Sequence, residues 1–503
     1  MDFSDFFRQS KSICAFDPTG DYIANVAGNR LVVRSAETLQ VANVIETVDA
    51  ISAIEFSPDG AYIFLASFDL GALQVWEVLG TAPVAKIDEG VAGIVRAMWD
   101  PLSARSLMTW SAFGLRISVW NLCDGSLTYI QQPKFADRGT AFRADHRYCA
   151  VLDRSGGKDS VCVYDCAEWV LVKRFNVETV DADNLAWSPD GRRIAVWDSL
   201  LDYKVLIYSP EGSLLYTYVA HEYGLGVRSA VWSPTSQFLA VGSYDQKLRL
   251  LNHYSFTPLA EWEHGASMTL TPKSIAAVFR EPGCLGLPTG DEPEWPTSAM
   301  VSGATQPKTR FEIVLPPAPS HRNIQLKFPF VKMEVNKSAN EVGISMIRWS
   351  VDGRYLALKN ENTPTLLHIY SMKLVRLIAV LQFSESIKQA EWLKGEQSKH
   401  TLVACTGSSS LYFWDSSRTV VRDPMARDAH DVEVVPFSKE DDDMGLEPTG
   451  IVEAVSVPGG ALRLTGFRWS PDEKRVIVMG GDAGQRVDRF CVGFTVDMEA
   501  MQS

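Results

Sequence analysis

One phrase recurs along the chain: an aromatic residue, then a tight turn, then an apolar strand-like segment. The clearest copies are Phe56-Ser57-Pro58-Asp59-Gly60, Trp187-Ser188-Pro189-Asp190-Gly191, Trp232-Ser233-Pro234 and Trp469-Ser470-Pro471-Asp472, and looser copies begin at Phe16, Trp99, Phe142, Trp349 and Trp392. Proline presets φ and glycine accepts positive φ, so each phrase predicts a turn. A second alternating segment follows each anchor, as in Leu73-Gln74-Val75-Trp76. Its β-branched and aromatic residues predict another strand.

The spacing of the anchors predicts the fold. Successive intervals are 40, 43, 43, 45 and 45 residues up to Trp232, and Trp349 to Trp392 is again 43. A period of about 40–45 residues with four strands per unit is typical of WD-repeat β-propellers. We therefore expect an all-β, WD40-type propeller of about nine four-stranded blades in one ring, with two smaller propellers as the alternative.

The N-terminus is predicted to close the ring. The last repeat ends after its third strand near Phe494, and Asp2–Gln9 is long enough to supply one missing outer strand. We accordingly place blades 1–6 and this closing strand in residues 1–264, and the remaining blades in 341–503.

Two long intervals indicate insertions. Trp232 to Trp349 spans 117 residues and Trp392 to Trp469 spans 77. Residues 265–340 hold ten of the 25 prolines, a density that central strands do not tolerate. A tenth, degenerate blade built on Ser274–Phe279 and Phe311–Leu315 is an alternative there. Residues 416–464 carry the acidic run Glu440–Asp443, which lacks EF-hand spacing and predicts a solvated loop.

The charge balance excludes several partners. The chain carries 61 acidic and 48 basic residues, for a net charge of −13, which argues against nucleic acid and against a polybasic membrane contact. No apolar run approaches the ~18 residues of a membrane span, so we expect no membrane insertion. The eight cysteines include no C-x-x-C pair, which favours a reduced intracellular compartment. Cys162 and Cys166 are predicted to be buried thiols.

No catalytic signature is present. The sequence contains no P-loop, H-E-x-x-H, G-x-S-x-G or G-x-G-x-x-G motif, and none of the eight histidines lies in a metal-like cluster. We expect no enzyme, no cofactor and no metal site.

The remaining candidates are turn and loop residues. Asp69 and Asp245 precede the second strand of their units. In WD repeats an aspartate there commonly anchors a hydrogen-bond network within the blade, although the usual upstream histidine is absent, so both are assigned a structural role.

Function tends to reside on the loops of a rigid scaffold. The candidate partner-binding residues are Tyr223, Leu225 and Arg228 before Trp232, Tyr244 after it, and Trp295 in the Pro-rich insertion. Trp295 folding back onto its own propeller is an equal alternative.

One stretch carries a resemblance to a known family. It runs through Gly224–Pro234, Ser236–Asp245 and Lys247–His253, with further matching pieces at Arg30–Arg34, Lys86–Gly90, Leu115–Ile117 and Ala195–Asp198. These residues resemble the WD-repeat family of centrosome and spindle-pole-body adaptors, whose human member is encoded antisense to a tumour-suppressor-related gene. The acidic insertion near 437–447 departs from the animal members.

The resemblance implies a non-enzymatic adaptor at the microtubule organising centre, in the cytoplasm and cytoskeleton. Its implied partners are a coiled-coil spindle-pole anchoring protein of the SSX-interacting type, a minus-end-directed kinesin and the gamma-tubulin complex. Such an assembly anchors microtubule minus ends and organises the mitotic spindle. Because microtubules are acidic, a chain of charge −13 is expected to reach them through partners.

Two other functions compete with this expectation. Some translation-initiation propellers also have nine blades rich in Ser-Pro-Asp-Gly turns, and these bind the small ribosomal subunit. Phosphoinositide-binding propellers use a paired-arginine motif, and the nearest pair here, Arg192-Arg193, follows a hairpin turn.

Overall fold

A computed structural model describes residues 1–221, 225–282, 284, 311–317, 322–332, 342–396, 398–422, 432–438, 441–442, 446–458, 462–482 and 488–495. Its regular structure is almost entirely β-strand. Within those ranges, no helix has the length and apolar character required to cross a membrane. The chain divides into two compact units, Met1–Val227 with Gly466–Ser503, and Arg228–Thr465.

The first unit begins with two short strands and five four-stranded blades. The two short strands are β1 (Asp2–Phe3) and β2 (Phe7–Gln9). Blade 1 comprises β3 (Cys14–Phe16), β4 (Tyr22–Ala27), β5 (Arg30–Ser35) and β6 (Val41–Glu46); blade 2 comprises β7 (Ala53–Phe56), β8 (Tyr62–Ser67), β9 (Ala72–Glu77) and β10 (Pro83–Asp88). Blade 3 comprises β11 (Arg96–Asp100), β12 (Ser103–Trp110), β13 (Arg116–Asn121) and β14 (Leu127–Gln131). Blade 4 comprises β15 (Thr140–Phe142), β16 (Tyr148–Ser155), β17 (Lys158–Asp165) and β18 (Val170–Asn176); blade 5 comprises β19 (Ala182–Trp187), β20 (Ile194–Asp198), β21 (Val205–Tyr208) and β22 (Leu214–Tyr218).

The second unit holds blades 6 to 8 and the strands of both insertions. Blade 6 comprises β23 (Val227–Trp232), β24 (Phe238–Ser243), β25 (Lys247–Asn252) and β26 (Pro258–Glu263). The Pro-rich insertion contributes β27 (Ser267–Leu270), β28 (Ala277–Arg280), β29 (Glu312–Val314) and β30 (Ile324–Lys327). Blade 7 comprises β31 (Ile344–Trp349), β32 (Tyr355–Asn360), β33 (Leu366–Ser371) and β34 (Arg376–Gln382). Blade 8 comprises β35 (Ile387–Trp392), β36 (Thr401–Thr406), β37 (Ser410–Asp415) and β40 (Ile451–Ser456), interrupted by the hairpin of β38 (Arg418–Arg422) and β39 (Val432–Pro436).

The last blade is completed by the N-terminus. Blade 9 comprises β41 (Leu462–Trp469), β42 (Arg475–Asp482) and β43 (Asp488–Phe494). Strand β1 pairs antiparallel with β43 at Asp2↔Phe494, and β2 pairs with it at Phe7↔Phe490. The predicted closing strand is therefore confirmed, as is the predicted nine-bladed β-propeller.

Each Ser-Pro-Asp-Gly turn is held by its serine. The hydroxyl of Ser188 donates to Asp190 and accepts from the backbone N–H of Arg193 at 2.9 Å. Ser57 makes the same pair of bonds, with Asp59 and with the N–H of Tyr62. Because both serines are fully buried, their hydroxyls need these partners, and the turn supplies them.

The anchor tryptophans pack between blades, as predicted. The indole Nε1 donates to a backbone carbonyl of the preceding blade in three cases: Trp99 to Glu55 at 3.0 Å, Trp392 to Arg348 at 3.0 Å and Trp349 to Val231 at 3.3 Å. Each ring thus buries apolar area and satisfies its one donor in the same contact.

The insertion strands extend an existing blade. Strand β28 pairs parallel with the outer strand of blade 7 at Val278↔Val380, and β29 adds antiparallel outside it. Strands β27 and β30 form a separate two-stranded sheet. Among the described residues, the predicted strands near 274–279 and 311–315 thus belong to blade 7 and form no tenth blade.

Part of the acidic insertion is anchored to blade 7. Both carboxylate oxygens of Asp442 accept from the guanidinium of Arg354, at 2.8 and 3.0 Å, and Lys373 Nζ lies 2.6 Å from Oδ1. Hydrogen bonds from Lys373 and Arg354 lower the pKa of Asp442. Asp442 is therefore tied to blade 7 while its side chain stays partly exposed, and the solvated loop stays a prediction.

Replacing Asp442 by alanine should lower the free energy of unfolding by about 1 kcal/mol, since these groups are partly exposed and screened. Urea unfolding at low and high salt measures this loss of unfolding free energy. The difference between wild type and variant should shrink at 1 M salt, because screening weakens the wild-type ion pairs. A difference independent of salt would contradict this role.

A candidate protein-docking face

The loops of unit 1 emerge at two opposite ends of its blades. In a four-stranded antiparallel blade, the connection between the second and third strands leaves at the same end as the connection to the next blade. We call this the loop end. The Ser-Pro-Asp-Gly turns lie at the other end.

Large apolar side chains are exposed along the loop end of blades 1 to 3. They are Val48, Leu70, Val91, Val95, Phe113 and Leu115. We call these six residues the apolar arc. Phe113 is 96% exposed and Val48 is 92% exposed. Single exposed apolar residues are ordinary, but a contiguous set marks an interaction surface.

Hydrogen bonds join the loops that carry the arc. Ser67 Oγ donates to the carbonyl of Ala50 at 3.2 Å, which joins the connection after blade 1 to the turn of blade 2. The N–H of Glu89 donates to the carbonyl of Gly71 at 3.2 Å. The N–H of Val95 in turn donates to the carbonyl of Trp110 at 2.9 Å, which reaches blade 3.

Three short 3-10 turns carry Leu70, Val91 and Phe113 of the arc: Phe68–Leu70, Gly90–Ala92 and Ala112–Gly114. Gly71 and Gly93 have φ of 65° and 62°, and a Cβ on Gly71 would lie 3.0 Å from Gly93 Cα. Glycine is therefore required where these two turns meet. Phe113 itself has φ of 60°, which is unusual for an aromatic residue and suggests a constrained presentation of its ring.

A buried carboxylate fixes the middle of the arc. Glu89 is buried and lies 2.7 Å from Arg116, and it accepts from the hydroxyl of Thr109 at 2.9 Å. Burial alone would raise the pKa of Glu89, but the hydrogen bonds from Arg116 and Thr109 outweigh it and lower that pKa. The charged carboxylate thus holds the base of the Gly90–Ala92 turn.

A charged cluster lies beyond the arc at the loop end of blades 3 to 5. Lys134 Nζ lies 2.9 Å from Asp159 and 2.8 Å from Asp181, and Arg138 lies 3.1 Å from Asp183. Every acidic group in this cluster faces a basic side chain. It separates the arc from two further exposed apolar residues, Val180 and Leu201.

Three of the predicted binding residues, Leu225, Arg228 and Tyr244, are among the described residues, and none of the three belongs to the apolar arc. Arg228, in unit 2, donates to the backbone carbonyls of Val342 and Gly343 and lies over the ring of Tyr244 at 5.8 Å. Burial lowers the pKa of Arg228. Leu225 is half-buried. A partner-binding role for these residues stays a prediction, and Tyr223 and Trp295 lie outside the described residues.

The two turn aspartates differ. Asp245 accepts from Arg249 at 2.7 Å and from the N–H of Lys247 at 3.1 Å, so it does organise its own blade. Asp69 is exposed, and its carboxylate bonds to no other residue that the structure describes. It lies beside Leu70 in the apolar arc.

No group of three or more potential metal ligands comes together within the described ranges. All eight cysteines are free, and Cys162 and Cys166 are buried as predicted. Burial raises the pKa of both thiols to about 12, which leaves them unreactive near neutral pH.

Nine blades with buried turn serines and inter-blade tryptophans define a WD40-type β-propeller. Residues 212–252 match the WD domain, G-beta repeat family. The chain is 35% identical over 421 residues to the mouse WD repeat-containing protein WRAP73, covering 84% of this chain and 88% of that protein. The chain therefore belongs to the WRAP73 family of WD-repeat proteins, and its function is that of a scaffold for protein interactions.

Two further proteins are similar to this chain. An uncharacterized WD repeat-containing protein of Schizosaccharomyces pombe is 25% identical over 444 residues, covering 82% of this chain and 83% of that protein. A crystal structure of the eukaryotic initiation factor is 10% identical with a TM-score of 0.50, covering 82% of this chain and 87% of that chain. At this identity the second likeness is one of fold alone.

Proposed function

We propose that this chain is a non-enzymatic adaptor at the spindle pole body or centrosome. With a coiled-coil anchoring protein of the SSX-interacting type, it anchors microtubule minus ends and recruits a minus-end-directed kinesin. The gamma-tubulin complex is a further partner in this proposal. The protein then belongs to the cytoplasm and cytoskeleton, at the microtubule organising centre.

The apolar arc is the observation that carries the proposal. Six large apolar side chains on connected turns form a surface suited to a protein partner. Such a surface on a rigid scaffold suits an adaptor, since its turns are already ordered before binding. The resemblance of Gly224–His253 to spindle-pole adaptors supports the particular location. The net charge of −13 favours indirect attachment to acidic microtubules.

A double variant, Val91→Ser with Phe113→Asn, tests the arc in mitotic cells. Asparagine tolerates the positive φ of Phe113, and both side chains are exposed, so the fold should persist. Loss of two interface anchors should weaken partner binding at least about tenfold. We expect a fluorescently tagged variant to leave the spindle poles.

Leu79→Ser is the matched control. Leu79 is 56% exposed and follows the third strand of blade 2 at the opposite end of the blade. This variant should stay at the poles. A wild-type protein that is diffuse throughout mitosis would contradict the proposal, and co-sedimentation with small ribosomal subunits would favour a translation factor instead.

A further inference from the structure

We propose that the apolar arc binds a segment whose apolar side chains are flanked by lysine or arginine, such as a basic amphipathic helix. This inference rests on the proposed adaptor function, because it specifies the partner surface that the arc would accept.

The charge of the arc carries the inference. The four segments that form it, residues 47–52, 68–71, 88–95 and 111–115, contain no lysine or arginine. They contain four acidic residues, and only Glu89 is ion-paired among the described residues. Asp88 caps the N–H of Gly90 at 2.8 Å, while the carboxylates of Asp49 and Asp69 meet no basic side chain in the described part of the chain.

Two basic side chains beside the arc, Arg116 and Arg96, are engaged by other groups. Arg116 pairs with Glu89. Arg96 lies over the ring of Trp110 at 4.6 Å and donates to the carbonyl of Ala136 at 3.0 Å. Lys86, which is exposed two residues before Asp88, has no ion pair among the described residues, so the unbalanced negative charge of the arc is that of Asp49 and Asp69. The adjacent cluster around Lys134, by contrast, matches its acidic groups with basic ones.

Charge complementarity selects the occupant. A basic segment that covers the apolar side chains of the arc also brings its lysine or arginine side chains close to the carboxylates of Asp49 and Asp69. This attraction strengthens its binding. A second copy of this chain in a symmetric contact would place the same acidic groups against each other. An anionic membrane surface would be repelled in the same way.

Two synthetic 18-residue amphipathic helices provide the test. They share a leucine face and differ only in a lysine or glutamate polar face, and their binding to the purified full chain is measured by fluorescence anisotropy. We expect the lysine peptide to bind at least about tenfold more tightly. The affinity of the lysine peptide should fall as salt increases, since Asp69 is exposed and Asp49 is only half-buried.

Matched variants distinguish peptide binding at the arc from attraction by the overall negative charge of the chain. Asp49→Lys with Asp69→Lys should weaken the lysine peptide about tenfold or more. Glu37 is exposed at the opposite end of blade 1. The variant Glu37→Lys should change the affinity for the lysine peptide less than about twofold, once the change in the net charge of the chain is taken into account. Val91→Ser with Phe113→Asn should weaken it as well, and unchanged melting temperatures show that the variants fold.

Equal affinity for both peptides, or equal effects of Asp49→Lys with Asp69→Lys and of Glu37→Lys, would overturn the inference. Self-association in analytical ultracentrifugation that the arc variants abolish would identify a second copy as the occupant instead. The test of the proposed function is independent of the test of the basic partner. If Val91→Ser with Phe113→Asn removes the protein from the poles while neither peptide is preferred, the adaptor proposal stands and the basic partner does not.

Discussion

Deletion of residues 1–10 should lower the melting temperature of the protein by about 5 °C or more, or abolish soluble expression. These residues supply β1 and β2, which pair with β43, the last strand of blade 9. The deletion removes the backbone pairing at Ser4, whose N–H donates to Val492 at 2.9 Å, and the buried side chain of Gln9, which donates to Arg489 at 3.1 Å. At about 1 kcal/mol per hydrogen bond, and with the apolar burial of Phe7, the loss is at least about 4 kcal/mol.

Differential scanning fluorimetry of the deletion measures this loss, and single substitutions locate it. The ring centre of Phe7 lies 5.3 Å from that of Phe490. The guanidinium of Arg34 lies 4.3 Å from the ring centre of Phe7. Phe7→Ala should therefore cost about 2 kcal/mol. Arg8 is exposed on the same strand, so Arg8→Ala should cost less than about 0.5 kcal/mol. An unchanged melting temperature for the deletion would show that β43 needs no partner.

The blades could be predicted because their signals are local. Proline, aspartate and glycine define the turn within five residues, and the buried hydroxyl of Ser188 explains why serine precedes them. The anchor Trp99 could be assigned to the core because a large aromatic residue at each repeat suits packing between blades. The closing role of Asp2–Gln9 followed from a count of strands in the last repeat.

The apolar arc could not be predicted in the same way. Val91 and Phe113 are indistinguishable in sequence from core residues, because apolarity alone does not say whether a turn points toward solvent. The one available signal was the pair of glycines, Gly71 and Gly93, that bring two turns together. Pairing of β28 with β34 is parallel and spans about 100 residues, and no local pattern specifies such a partner.

A pair of buried histidines in unit 2 gives the second large prediction. His264 is 2% exposed and His368 is 7% exposed, with ring centres 4.8 Å apart. The Nδ1 of His264 lies 3.2 Å from the carbonyl of Gln246, and its Nε2 lies 2.8 Å from the hydroxyl of Tyr370. Because a carbonyl can only accept, Nδ1 carries a proton. In the neutral imidazole, which burial favours, Nε2 accepts from the hydroxyl of Tyr370.

Acid should therefore destabilise unit 2. Burial lowers the pKa of His264 from 6.5 to about 4, and burial together with the neighbouring His264 lowers the pKa of His368. The unfolded chain binds more protons than the folded chain between those two values, so stability is lost as pH falls from about 6.5 to about 4. His264 alone accounts for about 3 kcal/mol of this loss.

Urea unfolding at pH 7.5, 6.5, 5.5 and 4.5 measures the loss, and His368→Phe tests its origin. The Nδ1 of His368 has no hydrogen-bond partner among the described residues, so phenylalanine should preserve stability at pH 7.5 and reduce the loss in acid. His146→Asn is the control, because His146 is exposed with φ of 58°, which asparagine accepts. If His368→Phe loses as much stability in acid as the wild type, His368 does not contribute, and the acid sensitivity comes from His264 or from carboxylates elsewhere.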